Sequence, residues 1–221
     1  MRLVTAILAK DEASRYLPQV LTRCKAFSDQ VLVLDDRSTD DTAKIAQDLG
    51  CEVRTRSILK DPAWGHESPA RAELWSWAAE VAGDGWVLVC DADQILHGDP
   101  RPLCDTWEFN SWAFVLLDLW DPQHFRTDGH WQAHLHPRPW MFKPSGFGKD
   151  FQPQWNGRGI HVGHCPPNAP LACGIAPPEE YYWLHYSYVS QEQREAKYRQ
   201  YLTVADQLTP GEKAHAESIL D

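Results

Sequence analysis

Residues 87–93 read Val-Leu-Val-Cys-Asp-Ala-Asp, an apolar run that stops at two carboxylates one residue apart. Such a run, bounded by polar residues, predicts a short strand buried on both faces, as in parallel sheets. Two carboxylates cannot both enter a core without a cation, so Asp91 and Asp93 mark the strand's end. Working outward, residues 2–9, 30–34 (QVLVL) and 51–55 repeat the strand pattern. Between them lie helical patterns: one through Leu17, Val20 and Leu21, one through Ala43, Ile45, Ala46 and Leu49, and one over 69–81. Residues 38–40 (Ser-Thr-Asp) supply N-cap chemistry for the second, with Asp40 and Asp41 read as its caps, and Gly50 closes it. Strands separated by helices of about 10 to 15 residues indicate βαβ units and an α/β fold with a mostly parallel sheet. Ligands of such sheets bind at the carboxyl ends of the strands. Here those ends carry residues 9–12, Asp35 and Asp36, and Asp91 and Asp93.

The second half changes character. Ten of the sixteen prolines fall between Pro122 and Pro178, and six of the ten histidines between His124 and His164. Residues 111–120 (SWAFVLLDLW) still predict a strand, with shorter pieces at 130–142, 159–162 and 181–188, then helices over 191–208 and 211–220. There is no internal repeat or low-complexity linker, so 1–221 is read as a single domain. Residues 1–100 form one half of it, and a loop-rich 101–221 shapes a second pocket.

Composition removes whole classes. The formal charge of −10 disfavours stable nucleic-acid binding and anionic membrane surfaces. No apolar run approaches the roughly 20 residues of a transmembrane helix, and the N-terminus lacks a signal-peptide cleavage pattern. Six cysteines without a CxxC suit reduced thiols and a cytoplasmic setting. His161, His164, Cys165 and Cys173 fit no common zinc spacing.

Three segments in order carry a resemblance: 4–12 (VTAILAKDE), 31–42 (VLVLDDRSTDDT) and the Asp-Ala-Asp of 91–93. Together they resemble the nucleotide-sugar-binding half of family 2 glycosyltransferases, which have the GT-A fold. The likeness covers about residues 1–96, and 184–198 (LHYSYVSQEQREAKY) resembles a C-terminal segment of such enzymes. It implies a GT-A, Rossmann-like sheet with a nucleotide-sugar-binding half (1–100) and an acceptor half (101–221). The implied activity is metal-dependent transfer of a sugar from a nucleotide diphosphate sugar, above all a UDP-sugar, to an acceptor hydroxyl with inversion. The acceptor would be a saccharide, a lipid-linked molecule or another hydroxyl compound.

Carried over by position, Ala6, Leu8, Glu12, Asp35, Asp36, Arg71 and Asp91 would bind the nucleotide. Asp93, Asp91 and His185 would hold Mn²⁺ or Mg²⁺, hard cations that take oxygen ligands and substrate phosphates. One departure stands out. Where related enzymes place an acidic residue after a histidine, residues 159–166 (GIHVGHCP) put Val162. Asp128, Asp150 and the Glu179–Glu180 pair are therefore the candidate general bases, with His161 a fourth.

Other readings compete. Residues 91–96 (DADQIL) superficially match the nucleophile motif of haloacid-dehalogenase-type phosphohydrolases, but three strand–helix units precede them. A nucleotidyltransferase would need a glycine-rich loop after the first strand, and residues 7–13 contain no glycine. A non-catalytic nucleotide-sugar-binding module is the remaining alternative.

Overall fold

A computed structural model describes residues 1–221. Strand β1 (Leu3–Ala9), helix α1 (Leu17–Phe27), β2 (Gln30–Asp35), α2 (Thr42–Asp48), β3 (Glu52–Thr55), α3 (Glu67–Ala82) and β4 (Trp86–Asp91) follow the expected alternation. β1 lies parallel to both β2 and β4, and β2 parallel to β3. The second half adds β5 (Gln94–His97), β6 (Ser111–Asp118), β7 (Arg138–Phe142), β8 (Cys173–Ile175) and β9 (Tyr182–His185). The sheet order is β3-β2-β1-β4-β7-β6-β9-β5, with β8 beside β6. Antiparallel pairs β4–β7, β6–β7 and β5–β9 make the sheet mixed.

The near-continuous apolar strands follow from burial on two faces. Leu3, Ile7 and Ala9 of β1 join Trp86, Leu88 and Cys90 of β4 beneath α1, which contributes Leu17, Val20, Leu21, Cys24 and Phe27. The alternate residues Val4, Ala6, Val87 and Val89 pack on Leu74, Trp75 and Ala78 of α3. Thr5, buried within β1, shares a 2.6 Å hydrogen bond with the Ser28 hydroxyl.

Helices α4 (Gln191–Leu202) and α5 (Pro210–Glu217) each begin with a capping box, Ser190 with Gln193 and Thr209 with Glu212. They close a third apolar cluster around Trp131, Tyr188, Tyr201, Val204 and Ile219.

The second half departs from the sequence reading in several places. α4 ends at Leu202 rather than near 208, where the Thr203 hydroxyl donates to the Gln200 carbonyl. Residues 159–162 form no strand: His161 has φ 54°, between Gly157 at 71° and Gly163 at 87°, left-handed conformations that interrupt an extended chain. The loop is instead clipped to the start of α3, where the Gly159 carbonyl accepts the Glu67 N–H at 2.9 Å. A Cβ at position 159 would sit 2.5 Å from the Gly65 carbonyl oxygen, so only glycine permits this approach. Of 130–142 only Arg138–Phe142 is a strand, residues 133–135 forming a 3₁₀ turn. Strand β5 has only two apolar residues, too few to predict a strand from pattern alone.

Candidate active site

The parallel registers pair Ala9 with Asp35 and Leu8 with Asp91, so the carboxyl ends of β1, β2 and β4 lie level. Beyond β4 the chain turns at Ala92 and Asp93 and continues as β5. Gln94 then pairs with His185 of β9, while Asp118 of β6 pairs with the same histidine from the other side. This register sets His185 between Asp93 and Asp118.

His185 Nδ1 is 2.6 Å from Asp118 Oδ1, and its Nε2 is 3.7 Å from Asp93 Oδ1. An ionised carboxylate only accepts hydrogen bonds, so Nδ1 carries the proton given to Asp118. Nε2 and an Asp93 oxygen then face each other across a gap that wants a proton or a cation. The pKa of His185 reflects this: burial opposes the imidazolium, but Asp93 and Asp118 outweigh it and raise the value. The other oxygen of Asp93 accepts the Ser187 hydroxyl at 2.5 Å, with Arg15 Nη2 at 3.9 Å.

Asp91 plays a different part. Arg71, nearly buried on α3, donates from Nη2 to Asp91 Oδ1 at 2.6 Å and from Nη2 and Nε to Glu67 Oε1 at 2.8 and 3.1 Å. Gln94 Nε2 donates to Asp91 Oδ2 at 3.2 Å. Burial alone would raise the Asp91 pKa, yet the guanidinium holds it well below the usual carboxylate range. Glu67 also accepts the Val162 N–H at 3.1 Å, tying the 159–164 loop to the same centre. That loop brings His164 Nε2 to 3.9 Å from Asp91 Oδ2. Burial first, then the charge of Arg71, lowers the His164 pKa to about 4, so this imidazole is neutral at pH 7.

Four buried polar atoms around these strand ends have no hydrogen-bond partner: Arg71 Nη1, His164 Nε2, Glu12 Oε2 and, just after β2, Arg37 Nε. Buried polar groups are normally satisfied, so each of these atoms calls for a partner from outside the chain, a water or a ligand. Glu12, at the turn after β1, accepts from Arg15 Nη1 at 2.7 Å through its other oxygen. Burial, then the charge of Asp93, raises its pKa to about 7 against the pull of Arg15.

Other predicted residues sit elsewhere or are otherwise engaged. Asp36 is fully buried, accepting from Arg56 at 2.7 Å, from Arg37 at 3.1 Å and from the Ala63 N–H at 2.7 Å. Asp35 accepts the Ser38 N–H at 3.2 and 3.3 Å. Both carboxylates anchor loops at the end of β2. Ala6 belongs to the core under α3, and Leu8 packs partly buried at the edge of the same cluster. Asp40, not Asp41, caps α2, accepting the Thr42 N–H at 3.0 Å.

None of the carboxylates nominated as general base touches Asp91 or Asp93. Asp128 is held by Arg126 Nε at 2.5 Å and by the N–H groups of His130 and Trp131, as the cap of an exposed turn. Asp150 lies in an exposed loop beyond Phe147. Glu180 is exposed just before β9, at the end that pairs with His97, opposite His185. His161 points its Nε2 at the Tyr201 hydroxyl, 3.2 Å away.

Sequence reasoning missed Asp118, Arg15, Glu67 and Ser187. A signal for Asp118 was present: residues 111–118 (SWAFVLLD) are another apolar run stopping at an aspartate, as β2 and β4 do.

No family model matches the chain. It is 34% identical over 99 residues to an uncharacterized protein of Mycobacterium tuberculosis, a match spanning 43% of the chain and 24% of that protein. It is 35% identical over 95 residues to an uncharacterized glycosyltransferase of Rickettsia prowazekii, spanning 43% of the chain and 29% of the relative. The chain thus spans only 24% and 29% of the length of these two curated relatives. Among solved structures, S. aureus TarS 1–349 in complex with UDP overlies 100% of the chain and 70% of its own, with TM-score 0.58 and 14% identity. The expected α/β fold is therefore seen over the whole length. The chain thus shares the fold of TarS over its whole length, and 95 of its residues are similar in sequence to an uncharacterized glycosyltransferase.

Proposed function

We propose that the chain transfers a sugar from a nucleotide diphosphate sugar, above all a UDP-sugar, to an acceptor hydroxyl in a reaction dependent on Mn²⁺ or Mg²⁺. The observation that carries this reading is the Asp118–His185–Asp93 line beside the unpartnered Arg71 Nη1. It brings a carboxylate oxygen and an imidazole nitrogen, both suited to a metal, beside a buried, unsatisfied cationic donor at the carboxyl edge of the sheet, where ligands of such sheets bind.

The donor set fits a hard divalent cation. Asp93 Oδ1 and His185 Nε2, 3.7 Å apart, are spaced for two bonds to one ion, each about 2.0 to 2.2 Å long. Asp118 fixes the tautomer and the ring plane, as the outer partner of a metal-bound histidine does. Two protein ligands leave positions for phosphate oxygens and water, the usual arrangement for Mg²⁺ with phosphate substrates. Asp91, expected to share the metal, has each oxygen engaged, by Arg71 and by Gln94, so its role here is to aim Arg71.

When bound, the cation would offset negative charge on the leaving diphosphate. The chain's own residues supply the rest. Arg71 keeps its charge in a buried site and has Nη1 free to donate to a phosphate oxygen. His164, neutral and unpartnered at Nε2, offers one further hydrogen bond. Thermal stabilisation by a panel of nucleoside diphosphates and UDP-sugars, with and without Mn²⁺, tests this. The expected result is a metal-dependent shift with one base, and no shift with any diphosphate overturns the reading.

A further inference from the structure

Helix α4 presents Arg194, Lys197 and Tyr201 along one face, at the i, i+3 and i+7 spacing that aligns side chains on a helix. The two cations are used very differently. Arg194 Nη1 donates to the carbonyls of Trp120 and Tyr188 at 3.0 and 2.8 Å, and its guanidinium lies 4.6 Å from the Trp120 ring centroid. It is a structural clamp. Lys197 Nζ makes no hydrogen bond and no ion pair, resting 5.1 Å from the Trp64 ring centroid and 6.0 Å from that of Tyr201.

Its surroundings are those of the site. Gln193 and Tyr201, one turn before and one turn after Lys197 on α4, meet the Tyr16 hydroxyl and His161 Nε2, each at 3.2 Å, so Lys197 lies between the segment that follows β1 and the 159–164 loop, whereas Arg71 reaches Asp91 from α3. A partly buried ammonium gains something from two aromatic faces, but its three donors remain unmatched. Those donors call for an anion with several acceptor oxygens.

We propose that Lys197 forms a phosphate-binding subsite, its ammonium donating to a phosphoryl oxygen of the donor's diphosphate across the site from Arg71. The subsite rests on the nucleotide-sugar reading above. The aromatic faces of Trp64 and Tyr201 fix the direction of the stem, and the Trp64 indole is itself held by Nε1 donating at 3.1 Å to the Gln200 carbonyl and the Thr203 hydroxyl. A compact point charge on a braced stem suits phosphate.

The alternative is a lysine that merely covers the aromatic cluster with its methylenes. Lys197→Met separates the two, because it keeps an unbranched stem against Trp64 and Tyr201 and removes only the charge. The probes are UDP and uridine, titrated by calorimetry with Mn²⁺ present, on the full chain, wild type, Lys197→Met and Lys197→Arg. The expected result is a loss of about tenfold or more in UDP affinity in Lys197→Met, the size of one charge-assisted hydrogen bond. Uridine affinity and melting temperature should stay at wild-type values, and Lys197→Arg should recover most of the UDP affinity. Equal UDP affinity in wild type and Lys197→Met overturns the subsite and leaves the nucleotide-sugar reading standing. A parallel loss for UDP and uridine makes Lys197 structural and overturns it as well. A wild type that binds no nucleoside diphosphate of any base overturns the reading and the subsite together.

Discussion

The imidazole of His185 is held at 2.6 Å by Asp118, and the two residues sit opposite each other in the parallel pairing of β6 and β9. Because the backbone ladder fixes both Cα positions, the hydrogen bond costs little side-chain entropy and the ring cannot turn away from Asp93. Asp118→Asn keeps the shape but no longer selects the Nδ1–H tautomer. Loss of such an outer partner typically costs about 10- to 100-fold in metal affinity or activity. Titration of Mn²⁺-dependent sugar transfer or donor hydrolysis should show that loss, with the melting temperature changed little.

Asp36 and Arg56 form a second buried pair at 2.7 Å, both side chains essentially inaccessible. Arg56 Nη1 also donates to the Asp61 carbonyl at 3.1 Å, and the remaining Asp36 oxygen accepts the Ala63 N–H, so the pair ties residues 56–63 to the end of β2. Arg37 still faces Asp36 at 3.1 Å when Arg56 is lost, so the cost is at most the roughly 3 to 5 kcal/mol of leaving a buried charge unpaired. Arg56→Met should therefore lower stability by that order in denaturant unfolding. Replacing both, Asp36→Leu with Arg56→Met, should recover part of it.

The N-terminal half was legible because its signals are local. Each apolar run of β1, β2 and β4 is buried on both faces, so periodicity and the abrupt change to aspartate report the element and its end together. Arg71, Asp91, Asp93 and His185, all named from the sequence, lie at one edge of the sheet. The rest was set by pairing that no local pattern encodes. Asp118 meets His185 only through the β6–β9 register, 67 residues apart in sequence. Asp36 looked like a ligand because a strand-end carboxylate can accept from a base, yet Arg56, 20 residues away, had already claimed it. Residues 159–162 have apolar alternation, but flanking glycines and a left-handed His161 override it.

Glu12 makes the stability of the molecule depend on pH, and the sign follows from its surroundings. Its folded pKa, about 7, lies above the ordinary 4.5, because burial and the nearby Asp93 penalise the charged form. The favourable contribution of the protonated group is fully present below about 4.5 and is lost as pH rises through about 7. Glu12→Gln, neutral at every pH, should match the wild type near pH 4.5 and exceed it at pH 8. The gain is of order 3 kcal/mol at most, because each tenfold change in proton affinity is worth about 1.4 kcal/mol. Unfolding free energies at the two pH values check this, and equal differences at both would remove Glu12 as the source.

Asp91 and Asp93, one residue apart, should separate cleanly on substitution. Asp91 neutralises a nearly buried guanidinium, so Asp91→Asn leaves Arg71 with Glu67 as its only anion and weakens a charge-assisted bond. A loss of about 1.5 to 3 kcal/mol in unfolding free energy is expected, with lower activity following from a misaimed Arg71. Asp93 has no comparable ion pair: its side-chain contacts are the Ser187 hydroxyl, Arg15 Nη2 at 3.9 Å and His185 Nε2 at 3.7 Å. Asn at that position still accepts from Ser187, so the fold should tolerate it. What it lacks is the charge that, in the proposed site, would draw a cation to His185 Nε2. Asp93→Asn should therefore melt close to the wild type while Mn²⁺-dependent transfer falls at least about a hundredfold. Full Mn²⁺-dependent transfer in that variant would remove Asp93 from the metal site and move the search to the oxygens of Asp91.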